Sequence, residues 1–322
     1  MLVLSRRDVE AALDPDRLVD AVAAAMAELS AGRASVPPRT AAEVAGVGGV
    51  LLAMPAHLPG LGALAAKLVA LFPQNAARGI PTHRAIVAAF DPETGTPEAV
   101  MDGEVVTAMR TAAGSALSAR LLAREDASVL AILGTGVQAR AHAEAVRRVR
   151  PIREVRIAGR DAGKAGELAE ELGAVVAGSY EEAIAGADIV CACTHSPEPV
   201  VRGEWLDPGT HVTSVGVNPV GRELDADAVA RALVVVESRA AAVEPFPVGS
   251  NDLAWAIRDG VVGADHVHAE IGELVAGTRP GRTSAGEVTL YKSVGVAAQD
   301  AAAAALVLDV ARERGLGTEV EM

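Results

Sequence analysis

Only three lysines occur in this chain of 322 residues, against 26 arginines among its 29 Lys and Arg side chains. Where any positive charge suffices arginine is the default here, so the lysines mark places where a compact ammonium serves instead. Lys164 lies in a polar stretch and suits solvent, but Lys67 interrupts the apolar run LGALAAKLVALF and Lys292 interrupts VTLYKSVGV. An ammonium buried in such a run needs a partner. For Lys67 the favoured chemistry is a cation that grips an acid group in a pocket; the plain alternative is a side chain snorkelling from a strand edge. Lys292 sits near a chain turn where exposure is easier, and both readings stay open for it.

A second constellation is glycine-based. The run VLAIL leads directly into Gly134, Thr135, Gly136, Val137, Gln138 and Ala139 and then into helical sequence. This strand, turn and helix context is what the G-x-G-x-x-G/A pattern requires. Gly134 permits the tight turn, Gly136 lets backbone approach a pyrophosphate, and Ala139 allows close helix-to-strand packing, while the helix N-terminus favours negative charge. The chemistry implied is binding of a nicotinamide dinucleotide. At the end of the next strand, where an acidic residue usually meets the ribose hydroxyls of NAD, VRIAGRDAGKA places Gly159 and Arg160, with Lys164 one turn on. A cation there can pair with a 2′-phosphate, which favours NADP. Asp161 keeps NAD open.

Other chemistries find little support. Cys191 and Cys193 lie in the apolar run DIVCACT, which reads as a packed strand rather than a disulfide or zinc framework. His266 and His268 are close in sequence, but no carboxylate or cysteine cluster completes a ligand set, so no metal is expected. A formal charge of -13 opposes binding to phosphate backbones, and no nucleic-acid partner is expected. The opening MLVLSRRDVEAAL has no long apolar stretch after its arginines, and no later window suits a membrane span, which points to a cytoplasmic protein with no membrane partner.

These residues must be positioned by a chain long enough for two domains. Half of its residues are hydrophobic and only 2% aromatic, so an Ala-lined core is expected. Residues 8 to 31 carry helical periodicity, and 36 to 100 show short apolar runs broken by Pro and Gly, suiting a mostly antiparallel sheet. From about 125, apolar strands alternate with helical stretches, the pattern of a Rossmann-like, doubly wound parallel sheet. The last 35 residues read as a short strand and one Ala-rich helix, expected to pack back on the first domain. His83 in PTHRA has open readings, facing the site or structural, and EPFPVGSNDLAW from 244 to 255 has none.

The stretches VPPR (36–39), AMPA (53–56), AAKLVALFPQN (65–75), VMDGEVVTAMRTAAGSALSARLLAR (100–124), GTGVQARAH, RELD (222–225) and GEVTLYKSVG (286–295) together resemble the ornithine cyclodeaminase and mu-crystallin family over nearly the whole chain. The resemblance implies an α/β homodimer. Each subunit would have a Rossmann NAD(P)-binding domain over 121–289 and a second α+β substrate-binding and dimerisation domain from 1–120 with 290–322, the substrate lying in the cleft between them. It implies that Arg39, Lys67 and Arg110 bind the substrate carboxylate. Thr82, Arg110, Val137, Gln138, Thr194, Val215, Ser293 and Val294 would lie along the cofactor, with Val294 also touching substrate.

One departure separates the activities within this resemblance. Cyclodeaminase-like members carry an aspartate in a pattern like G-x-D-x-P-G-K; here Gly216, Val217, Asn218, Pro219, Val220, Gly221 and Arg222 stand instead. Deamination and ring closure call for a group that accepts protons, which Asp can do and Asn cannot. The ketimine-reducing branch also has a neutral residue there. The expectation is therefore an NAD(P)H-dependent reductase of cyclic imino acids such as Δ1-pyrroline-2-carboxylate or Δ1-piperideine-2-carboxylate, with Lys67 and Asn218 as the catalytic candidates. Cyclodeamination of ornithine or lysine, oxidation of a small amino acid of the alanine type, and a non-catalytic NADP-binding crystallin-like protein are the alternatives.

Overall fold

A computed structural model describes residues 1–321. The N-terminal periodicity over 8–31 resolves into two helices rather than one, and they follow a short strand, β1 (Leu2–Leu4). Ser5 and Asp8 form a reciprocal capping box that starts α1 (Arg6–Ala12). Asp14 then caps α2 (Pro15–Ser30), accepting hydrogen bonds from the Asp16 and Arg17 N–H groups. Pro15 explains the break, because the residue before a proline is driven out of the helical region and the ring suits a first helical position. A meander follows: β2 (Thr40–Val44), β3 (Gly49–Leu58), β4 (Ala63–Leu71), β5 (His83–Phe90) and β6 (Pro97–Asp102), from which the chain enters α3 (Gly103–Leu122).

The middle of the chain alternates strand and helix. It runs β7 (Val129–Leu133), α4 (Val137–Val149), β8 (Glu154–Ala158), α5 (Ala162–Leu172), β9 (Val175–Val176), α6 (Tyr180–Ile184), β10 (Ile189–Ala192) and β11 (His211–Ser214). Then come α7 (Ala226–Arg231), β12 (Ala232–Val236), α8 (Arg239–Ala242), α9 (Asn251–Arg258), β13 (Val267–Glu270), α10 (Ile271–Val275) and β14 (Val288–Lys292). The tail is α11 (Ala297–Arg314) and β15 (Thr318–Glu319).

Two units result. The first comprises Met1–Arg110 and the tail from Val296, and the second is Thr111–Gly295. In the first, seven strands take the order β15-β1-β6-β5-β4-β3-β2. All neighbours are antiparallel except β1 and β6. The Ala-rich α11 packs on β3, β4 and β5 and against α1 and α2. Small side chains permit this close approach, and Ala298, Ala301, Ala302, Ala303 and Ala304 are all buried.

In the second unit eight parallel strands take the order β13-β12-β14-β11-β10-β7-β8-β9. Both faces are covered, as an all-parallel sheet demands: Leu130 and Ile132 of β7 enter one apolar cluster, and Ala131 and Leu133 enter another. From β7 the strand order departs in opposite directions, toward β8 on one side and β10 on the other, which creates the switch point where such sheets bind ligands. Among the described residues no helix is long and apolar enough to cross a membrane, and no group of His, Cys, Asp and Glu could hold a metal ion.

Candidate functional site

Burial along β4 alternates strictly enough to orient Lys67. Ala63, Ala65, Lys67 and Val69 all face inward, so the lysine occupies a position where the period-two rule calls for an apolar side chain. Its register partners are Met54 on β3 and Val87 on β5. Only 3% of Lys67 is exposed. The partner that such an ammonium requires is Asp300, from the first turn of α11, whose Oδ1 and Oδ2 lie 3.0 and 2.9 Å from Nζ. Arg110 on α3, also buried, donates from Nε to Asp300 Oδ1 at 2.9 Å and from Nη1 to Gln299 Oε1 at 2.7 Å.

The charges in this cluster do not balance. Lys67 and Arg110 share one carboxylate, and the half-buried Arg39, just before β2, adds to the positive field felt by Lys67. Burial pulls the Lys67 ammonium down to about 8; Asp300 opposes that shift, while Arg110 and Arg39 add to it. Burial would raise the Asp300 carboxyl, but Arg110 and Lys67 outweigh it and hold Asp300 below its ordinary range. His83, at the start of β5, is lowered by burial first and by Lys67 next, so it is neutral near pH 7 beside the cations. The amide of Gln299 is oriented by Arg110, which leaves Nε2 as a buried donor without a hydrogen-bond partner. Surplus positive charge together with a spare donor makes a site for one further anionic, hydrogen-bond-accepting group. Thr82 is exposed, and its carbonyl accepts from the Phe72 N–H.

The second unit holds the glycine turn. Gly134 has φ +119°, and a Cβ there would meet the Cys193 carbonyl oxygen at 2.6 Å, so only glycine fits. Gly136 is the N-cap of α4, with open space where a side chain would lie. Val137, the first helical residue, is 67% exposed despite being apolar, and Gln138 Oε1 is buried without a partner. Bare backbone at a helix start, an exposed apolar side chain and an orphaned acceptor fit a bound dinucleotide. Gly159 and Arg160 follow β8, with Arg160 exposed; Asp161 is turned to its own helix, capping α5 through the Lys164 N–H.

Thr194 lies two residues past β10 and Val215 directly past β11, both half-buried, while Ser293 and Val294 follow β14 and are held by Glu237. Both polar atoms of Asn218 hold the surrounding loop. Its Nδ2 donates to the His195 carbonyl at 2.9 Å, and its Oδ1 accepts from the Val220 N–H at 2.9 Å. Lys292 is fully buried, so its place near a turn gives it no solvent, and it pairs with Asp252 at 2.9 Å. That aspartate belongs to the stretch left without a reading in the sequence. Its neighbour Asn251 donates to the carbonyls of Asn218 and Gly221. Sequence reasoning missed Asp300, Gln299 and Asp252, and the available signal was an isolated polar residue in an apolar or Ala-rich run.

Residues 1–315 match the sequence profile of the ornithine cyclodeaminase/mu-crystallin family. The chain is 36% identical over 324 residues to an alanine dehydrogenase of Archaeoglobus fulgidus, covering 99% of this chain and 98% of that protein. It is 38% identical over 329 residues to a Δ1-pyrroline-2-carboxylate reductase of Bacillus cereus, covering 100% of both. Among solved structures it resembles the Thermococcus litoralis Δ1-pyrroline-2-carboxylate reductase in complex with NADH and L-proline, with a TM-score of 0.94 and 39% identity. That likeness covers 99% of this chain and 100% of the other.

The cation cluster makes a stability prediction. Asp300→Asn leaves two buried cations without their carboxylate and should cost about 3–5 kcal/mol at neutral pH. The penalty should shrink as pH is raised toward and past about 8, where Lys67 gives up its proton. Urea unfolding of both proteins across that range checks this, and a pH-independent difference would contradict it.

Proposed function

Because the chain belongs to the ornithine cyclodeaminase/mu-crystallin family, we propose that it reduces cyclic ketimine 2-carboxylates, Δ1-pyrroline-2-carboxylate or Δ1-piperideine-2-carboxylate, to the cyclic L-amino acid. It is an NAD(P)-dependent oxidoreductase acting on C–N bonds. The observation that carries the choice of substrate class is the buried, positively charged cluster of Lys67 and Arg110, short of one anion. A ring that bears a carboxylate beside its C=N bond supplies that anion.

In this reading Arg39, Lys67 and Arg110 pair with the substrate carboxylate and so fix the adjacent carbon, orientation being the main contribution such cations make. Asp300 holds Lys67 and Arg110 in place without neutralising them both. Gly134, Gly136, Val137 and Gln138 hold the dinucleotide, which when bound supplies the hydride. A ketimine nitrogen protonated from water already activates its carbon, so no carboxylate is needed at position 218. Asn218 spends its amide on the loop, which argues against cyclodeamination, where a base must take protons from amines. The likeness to an alanine dehydrogenase supports a second reading, oxidative deamination of a small amino acid, which would release ammonia with net reduction of the cofactor.

The outward face of the first sheet supports self-association. Leu51, Leu68 and Ile86 are 43%, 37% and 45% exposed, and Leu68 and Ile86 are register partners. A contiguous apolar face of this kind suits a twofold contact between identical subunits, and a homodimer is part of the proposal.

Four measurements test this reading. Purified protein given either ketimine should oxidise NADPH or NADH, and Lys67→Ala should lower kcat/KM by at least about a hundredfold, a loss expected for a buried carboxylate-binding cation. A flat nicotinamide absorbance with both rings and both cofactors would end the proposal. In the active enzyme kcat/KM should fall as pH rises through about 8, because the free site binds a carboxylate only while Lys67 is charged; Lys67→Arg should flatten that limb. Arg160→Ser should raise the Kd for NADPH about tenfold and leave NADH unchanged. Finally, Leu68→Glu with Ile86→Glu should turn a dimer into a monomer by light scattering, and an unchanged mass would remove that face from the assembly.

A further inference from the structure

Glu223 lies in the loop between β11 and α7 and is only 2% exposed. Both of its carboxylate oxygens are fully used. Oε1 accepts from the Thr194 N–H and the Thr194 hydroxyl, each at 2.7 Å. Oε2 accepts from the Ser214 hydroxyl at 2.7 Å and the Gly216 N–H at 2.9 Å. One side chain therefore fastens the segment after β10 to the segment after β11. The fit is close: a Cβ on Gly216 would meet the Glu223 carboxylate at 2.6 Å and the Thr194 carbonyl at 2.4 Å.

The glutamate is itself held in a closed circuit. Its own N–H, and that of Leu224, donate to Asp252 Oδ1 at 2.7 Å. Asp252 Oδ2 pairs with Lys292, and Lys292 donates to the Ser214 hydroxyl at 2.9 Å, the same hydroxyl that donates to Glu223. Such a circuit leaves neither loop an alternative set of partners at comparable energy.

The topology indicates what these two loops serve. The glycine turn follows β7, and Arg160 at the end of β8 marks the adenosine side of the switch point. The other half of a dinucleotide then runs over the ends of β10 and β11, where Thr194 and Val215 lie. We propose that Glu223 is a positioning residue for the nicotinamide half of the cofactor, acting through Thr194 and the 214–216 segment. This rests on the NAD(P)H-dependent function proposed above.

Fluorescence titration separates the possibilities, using NADPH or NADH, whichever the wild type binds more tightly, with 2′,5′-ADP or ADP as the matching adenosine-half probe. In Glu223→Gln a carboxylate oxygen becomes an NH2 group facing donors. The Kd for the reduced dinucleotide should rise about tenfold while that for the adenosine fragment stays at the wild-type value. Ser214→Ala, which removes one donor and keeps the carboxylate, should shift the dinucleotide in the same direction by about threefold. Unchanged dinucleotide binding in Ser214→Ala, or in a folded Glu223→Gln, overturns the inference. So does parallel weakening of dinucleotide and fragment together with a lowered Tm, which would mark a purely structural residue. If the wild type binds neither dinucleotide, the functional reading itself fails, and this inference with it.

Discussion

One carboxylate shared by two buried cations sets the terms for the rest of the first unit. Asp300 makes it affordable to keep Lys67 and Arg110 out of water, yet it leaves them with more positive charge than it cancels. Everything around the cluster is arranged to permit this: β4 turns Lys67 inward, and the N-terminal half of α11 is rich in alanine, so that its first turn can come close enough to the sheet for a 2.9 Å contact.

The second unit solves the opposite problem. Its loops at the ends of the parallel strands must offer bare backbone without collapsing, and they are held by buried carboxylates rather than by apolar packing. Glu223 gathers the segments after β10 and β11, and Glu237 collects the Ser293 hydroxyl and the N–H groups of Val294 and Gly295 at 2.7–2.8 Å. A carboxylate can receive several N–H and O–H donors at once, and such directional bonds fix a loop more tightly than dispersion contacts can.

Much of this was legible in the sequence, for identifiable reasons. The glycine turn carries its own context, a strand before and a helix after, and the alternation beyond residue 125 is regular. Lys67 stood out because a charge in an apolar run is costly. Asp300 did not, since an acid in an Ala-rich helix has no polar stripe against which to judge its direction, and its partner lies 233 residues away in the chain. Lys292 was ambiguous for a similar reason: nearness to a turn says nothing about what covers it, and Asp252 sits in a stretch with no periodicity. The break at Asp14 and Pro15 was written in the residues, but the apolar spacing runs across it. The two-residue strand β15 is too short to leave a pattern.

The separation between Lys67 and Asp300 also has a consequence for biogenesis. A ribosome extrudes the meander that carries Lys67 long before it reaches residue 300, so during most of synthesis the inward-facing ammonium has no counter-ion and β3 to β5 lack their covering helix. The sheet can complete its packing only when α11 arrives and docks. A nascent chain stalled before that helix would expose an apolar sheet with an uncompensated charge at its centre, a form fit for chaperones rather than for work.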